Sequence, residues 1–220
     1  NAGSSMQALV QSALLRLSER EVPAQTVLEA TRILTDCVIE LTEGQYLDMS
    51  YEGRFDVTLD DYFAMTGRKT GALFEASTWL GALLATEDEA LVSAWRTVGR
   101  AFGLAFQARD DALGIWEKTE ATGKVVGGDI YKRKKSLPVA YVLTHGSGAD
   151  KQVIADVFAQ PRIDAASVER VVAVLDRLGA QEYCREVVHT HTERARAALA
   201  QLPAGPAVEE VRSLIDLIAE

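Results

Sequence analysis

What this chain has little of narrows it first. Two cysteines in 220 residues exclude a disulfide framework. Cys37 and Cys184 both fall in helical patterns, as expected of reduced thiols, buried or half-buried, in a cytoplasmic protein. Five prolines and few β-branched runs leave helix as the prevailing conformation. Positive charge is outnumbered: 23 Lys and Arg stand against 32 Asp and Glu, for a net charge of -9. That balance excludes a general nucleic-acid binder, because a phosphate backbone demands a basic face. No apolar run approaches the roughly 20 residues needed to span a bilayer, and no basic segment followed by an apolar one opens the chain. A soluble, non-spanning protein is expected.

What is present is apolar periodicity, with 48% hydrophobic residues, enough for one sizeable core. Met6, Leu9, Val10, Ala13, Leu14 and Leu17 share one stripe of a helix over 4–17, which Glu21-Val22-Pro23 breaks. A second stripe, Val27, Ala30, Leu34, Cys37, Val38 and Leu41, runs into Gly44-Gln45-Tyr46-Leu47-Asp48. After a polar loop over 49–58, helix resumes at Leu59, is interrupted near Gly67 to Gly71, and continues through Leu73, Phe74, Leu80 and Leu84. Leu91, Ala94, Trp95, Val98, Phe102, Ala105, Phe106 and Leu113 define a long central helix. Pro138 suits the first turn of another, starting at Ser136 and ended by Gly146-Ser147-Gly148. Further helices are expected over 153–158, 166–178, 180–202 and 207–218, with short turns between them. There is no internal repeat and no linker, so one all-α domain spans 1–220.

Asp110 and Asp111 fall inside the central pattern. Most Asp-Asp pairs mark a helix start or a solvated surface, and Asp60-Asp61 is such a pair, explained by Thr58 or Asp60 capping the helix that follows. Asp110 differs, standing four residues beyond Phe106 on the same stripe, where a carboxylate is costly unless its charge is compensated. Hard oxygen ligands suit Mg²⁺, which commonly bridges one or two carboxylates to substrate phosphates. Gly123-Lys124 and Lys132 to Lys135 could neutralise those phosphates. Gln45, Asp48, Lys69, Thr70 and Gln107 put further polar groups on faces that otherwise read as buried. Together they predict a cavity within a helical bundle that holds magnesium and a diphosphate.

The motifs Gly44-Gln45 with Asp48, Tyr62 with Lys69-Thr70-Gly71-Ala72-Leu73-Phe74, Phe106-Gln107 with Asp110-Asp111, Gly123-Lys124 with Gly128-Asp129, and Lys134-Lys135-Ser136-Leu137-Pro138 occur in an order that closely resembles the polyprenyl synthetase family of trans-isoprenyl diphosphate synthases. The resemblance covers most of the chain. It implies an all-α isoprenoid-synthase bundle around a central cavity and a Mg²⁺-dependent prenyltransferase, active as a homodimer, that condenses an allylic diphosphate with isopentenyl diphosphate head to tail. On the same basis Asp110 matches the principal metal ligand, assisted by Asp111. Lys69, Lys124 and Lys135 match lysines holding the allylic diphosphate, and Thr70, Gln107 and Phe106 match residues of the pocket, which Phe74 also lines.

Two departures qualify the match. Where the family's second Asp-rich motif usually ends in a third Asp, this chain has Gly114. The segment Asn1-Ala2-Gly3 resembles the middle of the family, so the N-terminal helices with the first Asp-rich motif are not represented. The chain alone is therefore expected to be an inactive C-terminal portion of a synthase. A non-catalytic regulatory subunit and a terpene cyclase of the same fold remain the alternatives. Product length, which the family sets upstream of its first Asp-rich motif, is not encoded in these residues.

Overall fold

The computed structural model describes residues 2–117 and 126–220, and Lys124 and its neighbours Thr122 and Gly123 lie outside them. Among the described residues there are helices and turns but no strand. In chain order these are α1 (Ala2–Leu15) with a 3₁₀ turn (Arg16–Arg20), α2 (Ala24–Ser50), α3 (Leu59–Thr66), a π-helical turn (Gly67–Gly71), α4 (Ala72–Ala85), α5 (Glu89–Trp116), α6 (Gly128–Tyr131), α7 (Leu137–His145), α8 (Gly148–Phe158), α9 (Ala165–Arg177), α10 (Ala180–Leu199) and α11 (Pro206–Ala219).

Local chemistry accounts for most starts and stops. Thr58 caps α3 in a reciprocal box with Asp61, so the Asp60-Asp61 pair is a helix start with Thr58 as its cap. Ser147 and Asp150 form the same box on α8, which therefore begins at Gly148, earlier than its apolar stripe suggests. Asp88 caps α5 by accepting from the backbone N–H groups of Ala90 and Leu91. The interruption foreseen at 67–71 is no break: the rod widens to a π turn and runs on into α4. The first helix ends at Leu15 rather than Leu17 and buries none of its residues.

α5 is the axis, packed between α4 and α10. Its first half joins α10 and α11 in a small core of Ala94, Val98, Ala195, Leu199 and Ile215. Its second half enters the main core through Ala108 and Ile115, against Tyr62, Ile130, Leu137, Ile154 and Leu175. A third cluster joins α2 to α4 through Ile33, Cys37, Ala72 and Ala76. Cys37 and Cys184 are both buried and unpaired, and burial lifts the Cys184 thiol to about 12. Neither is therefore a ready nucleophile.

One close approach sets the site. A Cβ on Gly44 would lie 2.3 Å from the backbone nitrogen of Lys69, so only glycine lets α2 touch the π turn there. Asp48, one turn further along α2, is thereby laid beside the Lys69 side chain.

Candidate functional site

The C-terminal half of α5 is buried through Ala105, Ala108, Asp111 and Ile115, at steps of three and four residues. This corrects the expectation for the acidic pair. Asp111 is the carboxylate in the buried stripe, at 0% exposure, whereas Asp110 is half-buried and Phe106 is 40% exposed.

Asp111 is buried among donors. Its Oδ2 accepts from the Tyr62 hydroxyl at 2.7 Å and from the backbone N–H of Leu137 at 2.8 Å. Its Oδ1 accepts from Lys134 Nζ at 2.7 Å and from Gln107 Nε2 at 3.0 Å. The Leu137 bond matters for α7, because the side chain of its N-cap Ser136 makes no capping bond and Asp111 supplies the acceptor from another helix. Burial disfavours a charged Lys134, but the carboxylates of Asp111 and Asp129 outweigh it and hold the ammonium above its ordinary range. Tyr62, fully enclosed and facing a carboxylate, is pushed well up and stays a donor.

The network reaches across the bundle. Thr70 Oγ1 donates to Gln107 Oε1 at 2.8 Å, and Gln107 Nε2 also lies 3.4 Å from Asp110 Oδ2. Lys69 pairs with Asp48. Lys134 Nζ stands 3.4 Å from Asp129 Oδ2, an oxygen that is buried and makes no hydrogen bond. Burial raises the Asp129 carboxyl despite that ammonium. Beside the network opens a cavity of about 710 Å³, its wall including Asp48, Lys69, Asp110, Gly114, Asp129 and Lys134. Ammonium groups and carboxylates both line it, a combination suited to an anion rich in oxygen together with a hard cation.

The residues singled out from sequence distribute unevenly. Lys69, Thr70, Gln107, Asp110 and Asp111 come together as described. Phe74 and Phe106 meet each other at 5.4 Å between ring centroids, and Phe74 meets Phe102 at 5.2 Å, so both belong to one aromatic group on α4 and α5. Lys135 lies along the cavity wall, but its ammonium is 2.8 Å from the Glu52 carbonyl oxygen and 3.5 Å from that of Arg133. The rings of Phe55 and Phe158 close on it at 4.8 and 4.7 Å. The residue is 2% exposed, and burial lowers its pKa to about 8. The ammonium that meets the carboxylates belongs instead to its neighbour Lys134.

Sequence reasoning named Lys134 only as one of the Lys132 to Lys135 cluster and gave Asp129 and Tyr62 no role. Their signal was present in Gly128-Asp129 and in the position of Lys134 three residues before the first residue of α7. The chain enters this pair through Arg133, which adopts a left-handed φ of 57° and is anchored by its guanidinium on the carbonyls of Phe158 and Gln160 at 2.9 and 2.6 Å; beyond it, Lys134 and Lys135 lie outside any helix and reach different partners.

Known proteins share this arrangement of helices. The solved polyprenyl synthetase from Streptomyces coelicolor A3(2) superposes with a TM-score of 0.89 at 31% identity, covering 99% of this chain and 65% of that one. The short chain isoprenyl diphosphate synthase of Methanothermobacter thermautotrophicus is 33% identical over 201 residues, 91% of this chain and 61% of its own length. The (2E,6E)-farnesyl diphosphate synthase of Mycobacterium bovis is 35% identical over 213 residues, 94% of this chain and 58% of its own. The chain thus spans about six tenths of the length of these curated relatives. The profile of the polyprenyl synthetases matches residues 1–175. An all-α isoprenoid-synthase bundle with these motifs in this order belongs to the polyprenyl synthetase family.

Proposed function

We propose that this chain forms the diphosphate-binding wall of a prenyltransferase that joins an allylic diphosphate to isopentenyl diphosphate and releases a longer linear isoprenyl diphosphate. The observation that carries the reading is the set of paired charges at one cavity: on its wall Lys69 with Asp48 and Lys134 with Asp129, and behind the wall the buried Asp111, which also pairs with Lys134. In the reaction the carbon–oxygen bond of the allylic substrate breaks and its electrons leave with the diphosphate. The double bond of the second substrate attacks the carbocation, and a proton is lost. Lys69 and Lys134 face the leaving charge, and Lys124 is proposed to do so from the segment before α6. Gln107 and Thr70 fix the orientation of the wall. Asp111 positions Lys134, while Lys135 is assigned to the wall's shape.

Magnesium fits the residues present. Asp110 and Asp129 offer hard oxygen donors at the cavity, and one Asp129 oxygen is buried without a hydrogen-bond partner. When bound, Mg²⁺ supplies positive charge to the departing diphosphate. Isothermal titration of the chain with inorganic diphosphate and Mg²⁺ tests the reading. Binding that weakens about tenfold or more in Lys134→Met supports it, and the absence of binding in the unsubstituted chain rejects it. For the complete gene product, mass analysis of the products separates an elongator, which gives a longer diphosphate, from a cyclase, which gives a hydrocarbon or alcohol.

The enzyme is proposed to be a cytoplasmic homodimer. No described helix is long and apolar enough to cross a membrane. Met6, Leu9 and Leu15 on α1, and Leu28 and Ile39 on α2, are each at least half exposed, apolar surface that favours self-association. Sedimentation equilibrium should give twice the chain mass, and Leu9→Glu should shift it toward the monomer. A wild-type chain sedimenting as a monomer at micromolar concentration would remove the proposal.

A further inference from the structure

Lys69, on the cavity wall, and Thr70, the partner of Gln107, are carried by the π turn between Gly67 and Gly71. Both glycines are buried, and one side chain from α5 lies against both. A Cβ on Gly67 would be 2.8 Å from Arg100 Nη2, and one on Gly71 would be 3.2 Å from Arg100 Cδ. Arg100 thus fills the space that side chains at 67 and 71 would enter. It shares a stripe of α5 with Gly103 and Gln107, at steps of three and four residues. A Cβ on Gly103 would lie 3.1 Å from Gly71 Cα, and Gln107 accepts from Thr70 Oγ1 at 2.8 Å, so the whole stripe runs along the turn.

The guanidinium reaches two further elements. Its Nη1 stands 3.7 Å from Glu40 Oε2 on α2 and 3.6 Å from Glu75 Oε2 on α4. Glu75 is held in turn by Arg96, whose Nη2 donates to its Oε1 at 2.8 Å. Arg100 is half-buried and does not belong to the cavity wall. Ion pairs of this length and exposure contribute little to stability, so the weight of the residue falls on the space it fills. We propose that Arg100 is a positioning residue for the diphosphate contacts. Lodged against Gly67 and Gly71, it backs the π turn at the setting in which Thr70 meets Gln107 and Lys69 reaches the cavity. Gly67 and Gly71 are glycines because the guanidinium and its stem take their side-chain space. Contacts to a reacting group are lost when their donors shift by about 1 Å, so a turn without this backing misplaces Lys69 while the bundle stays folded.

This inference rests on the diphosphate reading of the cavity, and its test separates the two. Binding of inorganic diphosphate with Mg²⁺ is measured by isothermal titration, with urea unfolding followed alongside. Arg100→Met keeps an apolar stem and removes the planar fork, so binding should weaken about tenfold while the unfolding midpoint stays close to that of the parent. Arg100→Lys keeps the charge without the fork and should bind within about threefold of Arg100→Met. Gly67→Ala gives the sharper reading. Alanine favours a helical turn, so stability should hold or rise, yet its Cβ pushes the flexible guanidinium aside and binding should again fall about tenfold. A merely structural role would not lower affinity while stability holds. Arg100→Met combined with Gly67→Ala should bind within about threefold of either single variant, because both remove one contact. If the parent binds diphosphate and Arg100→Met and Gly67→Ala bind it equally well, the positioning role is refuted. Arg100→Lys at the affinity of the parent would refute it too, by assigning the effect to charge. Should Arg100→Met fail to fold, Gly67→Ala alone decides. A parent that binds no diphosphate rejects the functional reading, and the positioning role falls with it.

Discussion

Asp111→Ala should lower the unfolding free energy by about 3–5 kcal/mol, the range for leaving a buried charge without its partner. The carboxylate is fully enclosed and accepts from Tyr62, Gln107, Lys134 and the Leu137 backbone, which come from α3, α5, the loop before α7 and α7 itself. Truncation strands the Lys134 ammonium and exposes the first N–H of α7 to an empty space. Asp111→Asn keeps the shape and part of the accepting capacity, so its loss should be smaller, about 1–3 kcal/mol. Urea unfolding followed by circular dichroism reads both. A cycle with Lys134→Met sharpens the result, because removing the stranded ammonium should return part of the loss and give a coupling of about 0.5–3 kcal/mol. An Asp111→Ala chain as stable as the parent to within about 1 kcal/mol would show that these bonds carry no net stability.

Lys135 should give the chain a stability that climbs with pH where most proteins level off. Burial lowers its folded-state pKa to about 8, against an ordinary 10.5 in the unfolded chain. Below about pH 8 both states hold the proton and stability has no slope from this group. Between the two values the unfolded chain binds more protons, so unfolding becomes harder as pH rises. The full span corresponds to about 3 kcal/mol. Lys134 and Tyr62 have raised pKa values and act oppositely at the alkaline end, so the comparison belongs with Lys135→Met, in which they are retained. Stability of the parent minus that of Lys135→Met should grow by roughly 2–3 kcal/mol from about pH 7.5 to about pH 10. A flat difference would mean that the ammonium finds enough compensation in the Glu52 and Arg133 carbonyls and the two rings to keep an ordinary affinity for its proton.

Much of the bundle is legible in the sequence because its signals are periodic or local. The stripe from Leu91 to Ile115 marks α5, Thr58 marks the start of α3, and Pro138 marks the first turn of α7. The site is legible as a neighbourhood but not atom by atom. Asp110 and Asp111 differ by about 100° around the helix, and a stripe read from Phe106 selects Asp110. Packing against Tyr62 and α7 instead turns Asp111 inward. Between Lys134 and Lys135 no period exists, because a left-handed Arg133 and the carbonyl oxygens of distant residues decide which ammonium faces the cavity. The Asp129 carboxylate lies against Gly114, a contact between α6 and α5 that no local pattern in the sequence announces.

The π turn at Gly67–Gly71 has a consequence for how this rod tolerates change. One additional residue advances the angular phase of everything after it by about 100°. Tyr62 and Met65, before the turn, face the main core, whereas Ala72 and Ala76, after it, face the cluster beneath α2. One continuous rod thereby serves two cores that lie in different directions, like a shaft with two keyways cut at an angle. Substitution at Arg68 leaves that angle untouched. Deleting any one residue of the turn would realign the keyways, so that one core or the other loses its contacts.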